Sequence, residues 1–130
     1  MINGGAIMAI HKSAEDYLER ILMLTQNGNK VRSIDIAQSF NYSRASISRA
    51  INNLKASEYI VIDSNGYIEL TKKGKNVASE MYKRHHILTD LFVSLGVPLE
   101  IAKEDACKIE HDLSDITFKA LENYFKNNQK

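Results

Sequence analysis

The stretch that decides the fold is residues 33–57, which read SIDIAQSFNYSRASISRAINNLKAS. Ser33 precedes a short segment with helical apolar spacing, and Ser43 precedes a second, longer one. Serine directly before such a pattern is a favoured helix N-cap. The inward positions are Ile36, Ala37 and Phe40 in the first segment, and Ile47, Ile51 and Leu54 in the second. Two helices joined by a tight turn at Asn41-Tyr42 predict a helix-turn-helix.

The flanking sequence completes a winged helix-turn-helix. Upstream, Ser13 can cap a first helix that ends at Asn27-Gly28-Asn29, where a glycine is typical of a left-handed helix end. Downstream, residues 59–63 and 67–70 have the composition of two strands, and Ser64-Asn65-Gly66 lies between them. An Asn-Gly pair accepts the positive φ of a type I′ turn, so this stretch predicts a hairpin.

The second half of the sequence predicts only helices. A fourth helix is expected over residues 71–95, after which Gly96 and the single proline, Pro98, interrupt the chain. A fifth helix is expected over residues 99–113 and a sixth over residues 114–125. The sixth helix has an apolar stripe, and so small a chain can bury the stripe only by packing it against another surface. The stripe consists of Ile116, Ala120, Leu121, Tyr124 and Phe125. The predicted fold class is therefore mainly α with a small β-hairpin wing.

Composition and charge restrict the class of protein. The chain has 130 residues, 44% of them hydrophobic and 25% charged, and no apolar run approaches the ~20 residues that span a bilayer. The single cysteine cannot form an internal disulfide, which favours a reduced, cytoplasmic protein. Residues 30–75 carry eight Lys and Arg against four Asp and Glu, whereas residues 96–116 carry two against six. The first segment suits a polyanion and the second a cation, although solvated helix faces would give the same pattern.

The start of the predicted recognition helix supplies groups that DNA recognition uses. Small hydroxyl side chains let a helix lie deep in the major groove, and arginines pair with phosphates or read guanine with two hydrogen bonds. The alternative is an ordinary capped helix on a soluble protein. The candidate DNA-binding residues are Ser33, Ser43, Arg44, Ser46, Ser48 and Arg49.

The segment around Cys107, Glu110 and His111 is the strongest candidate for chemistry. On a continuous helix, the spacing i, i+3 and i+4 places a thiolate, a carboxylate and an imidazole on one face. This donor set suits a divalent transition metal. Cys107 has two other interpretations, a buried small hydrophobic residue and a redox-sensing thiol.

Two further groups extend the list of candidate metal ligands. Asp16 and Glu19 form an i, i+3 pair on the first helix, where two carboxylates in a first turn would also simply favour the helix dipole. His85 and His86 lie in the fourth helix, and either one is a candidate ligand. The full set of candidates is Asp16, Glu19, His85, Cys107, Glu110 and His111.

Four motifs resemble the diphtheria toxin repressor and manganese transport regulator family of metal-dependent repressors. They are SAEDYLERI at 13–21, LTKKG at 70–74, KRHHIL at 83–88 and DACKIEH at 105–111. The resemblance covers about residues 13–125 and, in length, is closest to the short form without an SH3-like domain. It implies a homodimer whose winged helix binds an operator, whose C-terminal helices dimerise, and whose metal links the two parts.

The resemblance also implies a ligand set of mixed type. Manganese-type ligand positions are matched by Asp16, Glu19, His85, Glu110 and His111. Cys107 instead matches the iron-type members, whereas the manganese-type members carry a carboxylate there. Thr89 stands where both types usually have glutamate, and Lys103 replaces a histidine of the iron-type second site. The iron-type ancillary site is therefore expected to be incomplete.

Together, these observations predict a cytoplasmic, homodimeric, metal-dependent transcriptional repressor of metal homeostasis genes that is not an enzyme. We expect Mn²⁺ or Fe²⁺ as the metal, with Co²⁺ or Zn²⁺ as alternatives, and a double-stranded DNA operator as partner, with no membrane and no small organic substrate. The expected segments are a flexible lead-in (1–12), a DNA-binding domain (13–73) and a helical metal-binding and dimerisation domain (74–130). The alternatives are a winged-helix regulator without metal control and, remotely, a metal-dependent hydrolase.

Overall fold

A computed structural model describes the backbone of residues 2–40 and 43–129, and the side chains of residues 14–40 and 43–129. The elements in chain order are α1 (Ile2–Thr25), α2 (Ser33–Phe40), α3 (Arg44–Ala56), β1 (Ile60–Ile62), β2 (Ile68–Leu70), α4 (Lys72–Ser94), α5 (Leu99–Ile109) and α6 (Asp115–Asn127). The predicted fold class, mainly helical with one small hairpin, is confirmed. The predicted turn at Asn41-Tyr42 lies outside the described residues. No helix in the described part is both long and apolar enough to cross a membrane.

The chain divides into two compact units, Met1–Ser79 and Glu80–Lys130. The first contains α1, α2, α3 and the hairpin, and the second contains α5 and α6. The division falls within α4, whereas the sequence predicted a boundary near the start of that helix, after residue 73.

The core of the first unit is formed by the elements that the apolar spacing predicted. Its buried side chains include Leu18 and Ile21 of α1, Ile36 of α2, Ile47 and Ile51 of α3, and Ile60 and Ile68 of the hairpin. In the antiparallel hairpin, Val61 pairs with Glu69 and both side chains are exposed, while their neighbours face the core. The Ile68 N–H donates to the Val31 carbonyl at 2.7 Å, which ties the wing to the chain before α2. The wing is therefore packed against the helix-turn-helix.

Two glycines are needed for this arrangement. Gly66 has φ +83°, a left-handed conformation that glycine adopts without strain, and it ends the hairpin turn. Asn65 has no positive φ, so the turn is not the type I′ turn that the Asn-Gly pair predicted. Gly74 lies in the first turn of α4 against the Tyr59 main chain, so close that a Cβ atom would collide with the Tyr59 carbonyl oxygen. Thr71 caps this helix by accepting from the Gly74 N–H at 3.1 Å, and its own hydroxyl donates to the Glu58 carbonyl at 2.7 Å. The glycine thus permits the hairpin and α4 to approach closely.

The structure corrects two predicted helix limits. Helix α1 begins at Ile2, so the predicted start after Ser13 is wrong, and the backbone of the expected flexible lead-in is helical. Extending an existing helix needs no new nucleus, and no proline interrupts residues 2–13. Helix α5 ends at Ile109, before the predicted end at Leu113. At this end of α5 the Glu110 carbonyl accepts from Nη1 of Arg84 at 2.9 Å.

The second unit has a small core and several exposed apolar side chains. A cluster of Leu88, Ala106 and Phe118 is fully buried. The predicted stripe on α6 is divided, because Phe125 is buried while Ile116 is 84% and Tyr124 is 62% exposed. Other large apolar side chains at the surface of this unit are Val93, Leu95, Leu99 and Ile101.

Glu122 of α6 is a buried carboxylate, 3% exposed, that contacts three lysines. Its distances are 3.1 Å to Lys126, 3.5 Å to Lys119 and 3.5 Å to Lys83 of α4. Burial by itself raises the pKa of Glu122, but the hydrogen bond from Lys126 and the charges of the three lysines outweigh it. The pKa therefore lies below its ordinary value of 4.5. The ionised carboxylate stabilises the contact between α6 and α4.

We expect Glu122→Gln to lower the free energy of unfolding at pH 7 by roughly 1–3 kcal/mol, because a hydrogen bond to a charged group is replaced by a neutral one. A lowered pKa stabilises the fold above 4.5, and this contribution is lost as the pH falls through the folded-state value. Urea unfolding at pH 7 and in a series below pH 4.5 measures both effects. Glu104→Gln, at an exposed position of α5, is the matched control. A wild-type-minus-variant difference that is constant with pH would contradict the interpretation.

Candidate metal centre and nucleic-acid interface

Helix α3 has one buried and one exposed face at its start. Ser43 is its N-cap, with φ −69° and ψ 153°, and its hydroxyl oxygen accepts from the Ser46 N–H. Ile47 is buried in the core of the first unit, whereas Arg44, Ser48 and Arg49 are exposed. Both predicted arginines are therefore on the outer surface of the predicted recognition helix.

The surface between α2 and α3 contains a cavity of about 380 Å³. Its lining combines an apolar floor with polar and cationic edges: Ser33, Ile34, Ala37, Arg44, Ile47 and Ser48. This brings together three of the predicted DNA-binding residues. The Ser43 hydroxyl donates to the Ser46 hydroxyl at 3.0 Å, so these two serines also serve the helix cap. Their part in DNA recognition stays a prediction.

Two cationic residues that the sequence analysis did not select lie beside the wing, in the segment between α1 and α2. The guanidinium of Arg32 lies 4.4 Å from the centre of the Tyr67 ring, and its Nε donates to the Asn65 carbonyl at 3.1 Å. The ammonium of Lys30 lies 5.2 Å from the same ring. The sequence did offer a signal for these residues, because two basic side chains directly before a helix-turn-helix are candidates for DNA contact. Cation–π contact with Tyr67 holds both charges beside the hairpin turn.

The acidic pair of the first unit lies in the interior of α1. Glu19 is buried and Asp16 is half-buried, and both lie far from the helix start at Ile2. The helix dipole acts within the first turn, so it does not account for this pair. The interpretation of Asp16 and Glu19 as simple dipole partners therefore loses its basis.

The second unit brings two imidazoles to one buried carboxylate. His85 Nδ1 is 2.9 Å from Glu110 Oε1, and His111 Nε2 is 3.3 Å from Glu110 Oε2. The Glu110 side chain is 0% exposed, and His111 is also buried. His86 is exposed and its ring packs against Tyr82, with centroids 4.3 Å apart. Of the two neighbouring histidines, His85 is therefore the one on the Glu110 side of α4.

Cys107 is exposed and forms no disulfide, unlike buried Glu110 and His111. The inward positions on this part of α5 belong to Ala102 and Ala106. The alternative interpretation of Cys107 as a buried small hydrophobic residue is therefore wrong. Its role as a metal ligand stays a prediction.

Thr89 and Lys103, the two positions that differ from the family pattern, have different surroundings in the structure. Thr89 is buried, and its hydroxyl has no hydrogen-bond partner among the described residues. Lys103 is exposed, with its ammonium 3.8 Å from the Glu100 carboxylate. Neither side chain is a metal donor under ordinary conditions.

The donors in the second unit fit a divalent transition metal. An imidazole nitrogen and a carboxylate oxygen are both common ligands of such metals. A buried carboxylate needs a cation or strong hydrogen-bond donors to offset its desolvation. Nitrogen and oxygen ligands of this kind can bind Mn²⁺, Fe²⁺, Co²⁺ or Zn²⁺, so this donor set does not select one of these metals.

Two family models match the chain. The N-terminal DNA-binding domain of the iron-dependent repressors matches residues 9–75. The metal-binding and dimerisation domain of the same proteins matches residues 71–130. The chain belongs to the iron-dependent repressor family. It therefore carries the DNA-binding domain and the metal-binding and dimerisation domain of metal-dependent transcriptional repressors, which confirms the suspected family.

Two relatives named as MntR regulators are similar over most of the chain. The HTH-type transcriptional regulator MntR of Shouchella clausii (strain KSM-K16) is 33% identical over 102 residues, which are 78% of this chain and 71% of the relative. MntR of Bacillus subtilis (strain 168) is 32% identical over 102 residues, covering 78% of this chain and 72% of the relative.

Solved structures agree with the fold. The manganese regulator SloR has a TM-score of 0.77 at 27% identity, over 87% of this chain and 53% of SloR. A manganese-dependent transcriptional repressor in complex with manganese has a TM-score of 0.80 at 25% identity, over 90% of this chain and 54% of that chain. The chain thus spans about half the length of these structures.

Proposed function

We propose that this chain is a cytoplasmic, homodimeric repressor that binds a double-stranded DNA operator when it holds Mn²⁺ or Fe²⁺, and that it controls metal homeostasis genes. It acts by binding, without catalysis. The proposed metal ligands are Asp16, Glu19, His85, Cys107, Glu110 and His111. The observation that carries the proposal is the buried Glu110 carboxylate with an imidazole on each oxygen, 2.9 Å and 3.3 Å away.

The charges of these groups explain why a metal would stabilise them. The Glu110 carboxylate lies in a site without bulk water, where it needs a cation or strong hydrogen-bond donors to offset its desolvation. A divalent cation satisfies the carboxylate and both nitrogen lone pairs at once. The resemblance implies that Asp16 and Glu19 of α1 bind the same metal site. In that case metal binding restricts the DNA-binding domain relative to the dimerisation domain, which is the proposed route of control.

The matched domain and the surface of the second unit both support dimerisation. Its buried cluster is small, whereas Ile116, Tyr124, Leu95, Leu99 and Ile101 are exposed. Isolated apolar side chains are common on surfaces, but this many on so short a segment favour a second copy as their partner. In such a dimer, two copies of α3 would read two half-sites one helical turn of DNA apart, ~34 Å.

The deciding experiment is DNA binding with and without metal. Fragments selected from a random DNA library in the presence of Mn²⁺ would be titrated at fixed ionic strength with Mn²⁺, Fe²⁺, Co²⁺, Zn²⁺ or chelator. We expect specific binding only with metal. Equal specific binding in chelator would favour the winged-helix regulator without metal control and overturn the proposal.

Cys107 is expected to broaden metal preference. A thiolate is softer than a carboxylate, so the wild type should favour Co²⁺ and Zn²⁺ over Mn²⁺ more strongly than Cys107→Glu does. The hard carboxylates that remain keep Mn²⁺ binding measurable. Thiolate ligation gives Co²⁺ an intense charge-transfer band in the near ultraviolet, and this band should disappear in Cys107→Ser. Co²⁺ binding to the wild type without the band would remove Cys107 from the ligand set.

A further inference from the structure

Arg84 directly precedes His85 in α4 and is almost completely buried, with 4% exposure. Its Nη1 donates to two main-chain oxygens, those of Glu110 at 2.9 Å and Leu113 at 2.7 Å. Its Nη2 donates to the carboxylate of Asp115, the first residue of α6. One guanidinium therefore contacts three points of residues 110–115, the segment that joins α5 to α6.

Two more contacts fix the guanidinium itself. It lies over the ring of Phe118 at 5.0 Å, and its Nε is 3.6 Å from the Glu80 carboxylate one turn earlier in α4. A buried arginine needs this number of partners, because a buried cation without them is strongly destabilising. These contacts offset the cost of burying the Arg84 charge.

The contacts explain why α5 ends where it does. The last carbonyls of a helix have no partner within the helix, and a cation placed there satisfies them and the helix dipole. Glu110 is the C-cap residue, and its carbonyl oxygen is held by Arg84 instead of by a continuing helix. The side chains of Glu110 and His111 are therefore attached to a part of the main chain that Arg84 holds in place.

We propose that Arg84 is the positioning residue of the metal centre. It holds the Glu110–His111 segment against α4 at the helical position beside His85, so that the ligands of the second unit are in place before metal arrives. Arg84 donates to the main-chain oxygen of Glu110. It therefore orients this residue while the side-chain carboxylate stays available to the metal. This inference rests on the proposed function.

The planar, branched shape of the guanidinium is essential to this role. Arginine presents several N–H donors in one plane, which can serve two carbonyls and a carboxylate together. A lysine ammonium is a point charge on a flexible stem and cannot keep all three contacts in the same geometry. The same fork also joins the ligand segment to the start of α6, since Asp115 and Phe118 both belong to that helix.

The test compares Arg84→Lys and Arg84→Met with the full-length wild type. We expect both variants to bind Mn²⁺ and Co²⁺ about 10–100-fold more weakly, the usual effect of losing a group that orients a metal ligand. A second readout needs no metal. In NMR spectra of the metal-free protein, the ring signals of His85 and His111 should be sharp in the wild type and broadened or doubled in Arg84→Lys.

Two control variants separate positioning from general stability. Lys83→Met removes the neighbouring cation of α4, which pairs with Glu122 of α6, and it should keep wild-type metal affinity. Asp115→Asn keeps the hydrogen bonds from Arg84 to the Glu110 and Leu113 carbonyls, so it should weaken metal binding less than 10-fold. All affinities are measured below the melting temperature of each variant. If Arg84→Met does not fold, Arg84→Lys and Asp115→Asn still decide the outcome.

The outcomes are distinct. A purely structural arginine would lower the melting temperature of Arg84→Lys while the folded protein kept wild-type metal affinity and sharp histidine signals. That result would overturn the inference and leave the proposed function intact. A wild type that binds neither Mn²⁺ nor Co²⁺ would instead contradict the proposed function itself.

Discussion

Glu110→Gln is expected to eliminate the stabilisation of this protein by metal without destabilising the metal-free fold. The amide has almost the same shape as the carboxylate but no negative charge, and the side chain it replaces is 0% exposed. In the metal-free protein the amide can keep the hydrogen bond to His85 Nδ1, so little stability should be lost without metal. With metal at 100 times its dissociation constant, the wild type should gain about 2.7 kcal/mol of stability. The variant should gain close to none at the same concentration.

Thermal unfolding with Mn²⁺, with Co²⁺ and with chelator measures this difference, and calorimetry gives the affinities directly. Glu104→Gln is the matched control, because it removes one carboxylate from an exposed position of α5. It should keep both the affinity and the stabilisation. A Glu110→Gln protein that is stabilised by metal as much as the wild type would show that this carboxylate is not a ligand.

Local signals predicted the DNA-binding unit well, because its elements are determined by neighbours in the sequence. Ser43 caps α3 through an N–H only three residues away. The hairpin turn needs a positive φ, and Gly66 provides it. The apolar spacing of α3 selects the side chains that are found in the core. Interactions of this kind involve few residues, so periodicity and turn composition are sufficient to infer them.

The end of α5 could not be predicted in this way. The cause is Arg84, whose guanidinium acts on carbonyls 26 and 29 residues further along the chain. No local pattern in residues 99–113 indicates it, and the helical spacing continues beyond Ile109. The argument that placed Cys107, Glu110 and His111 on one continuous face therefore fails in part. Glu110 and His111 are buried at the end of the helix, while Cys107 remains on its exposed side.

The choice between His85 and His86 shows a similar limit. Adjacent residues in a helix point about 100° apart, so the sequence leaves open which one faces inward until the buried face is known. In the structure, Arg84 and Leu88 are buried and lie one turn apart. His85 is next to this buried line and contacts Glu110, whereas His86 is turned to the solvent. A tertiary contact with α5 was needed to decide this point.

Arg44→Ala and Arg49→Ala are each expected to weaken specific DNA binding. Both side chains are exposed on α3, the predicted recognition helix, and Arg44 also lines the cavity between α2 and α3. An arginine that reads a base should contribute ~1–3 kcal/mol and relax the preference at one position of the site. One that contacts a phosphate should weaken all sequences equally and reduce the dependence of affinity on salt by about one counterion per contact.

A salt series on the selected DNA, with metal present, separates the two roles. Each substitution occurs twice in a homodimer, so loss of a phosphate contact should lower the slope of log affinity against log salt by about two. Lys108→Ala is the control, since it removes the same charge from the exposed surface of α5. It should leave the slope and the sequence preference unchanged. If both arginine variants behave like Lys108→Ala, the start of α3 does not enter the groove, and the cations beside Tyr67 become the stronger candidates for DNA contact.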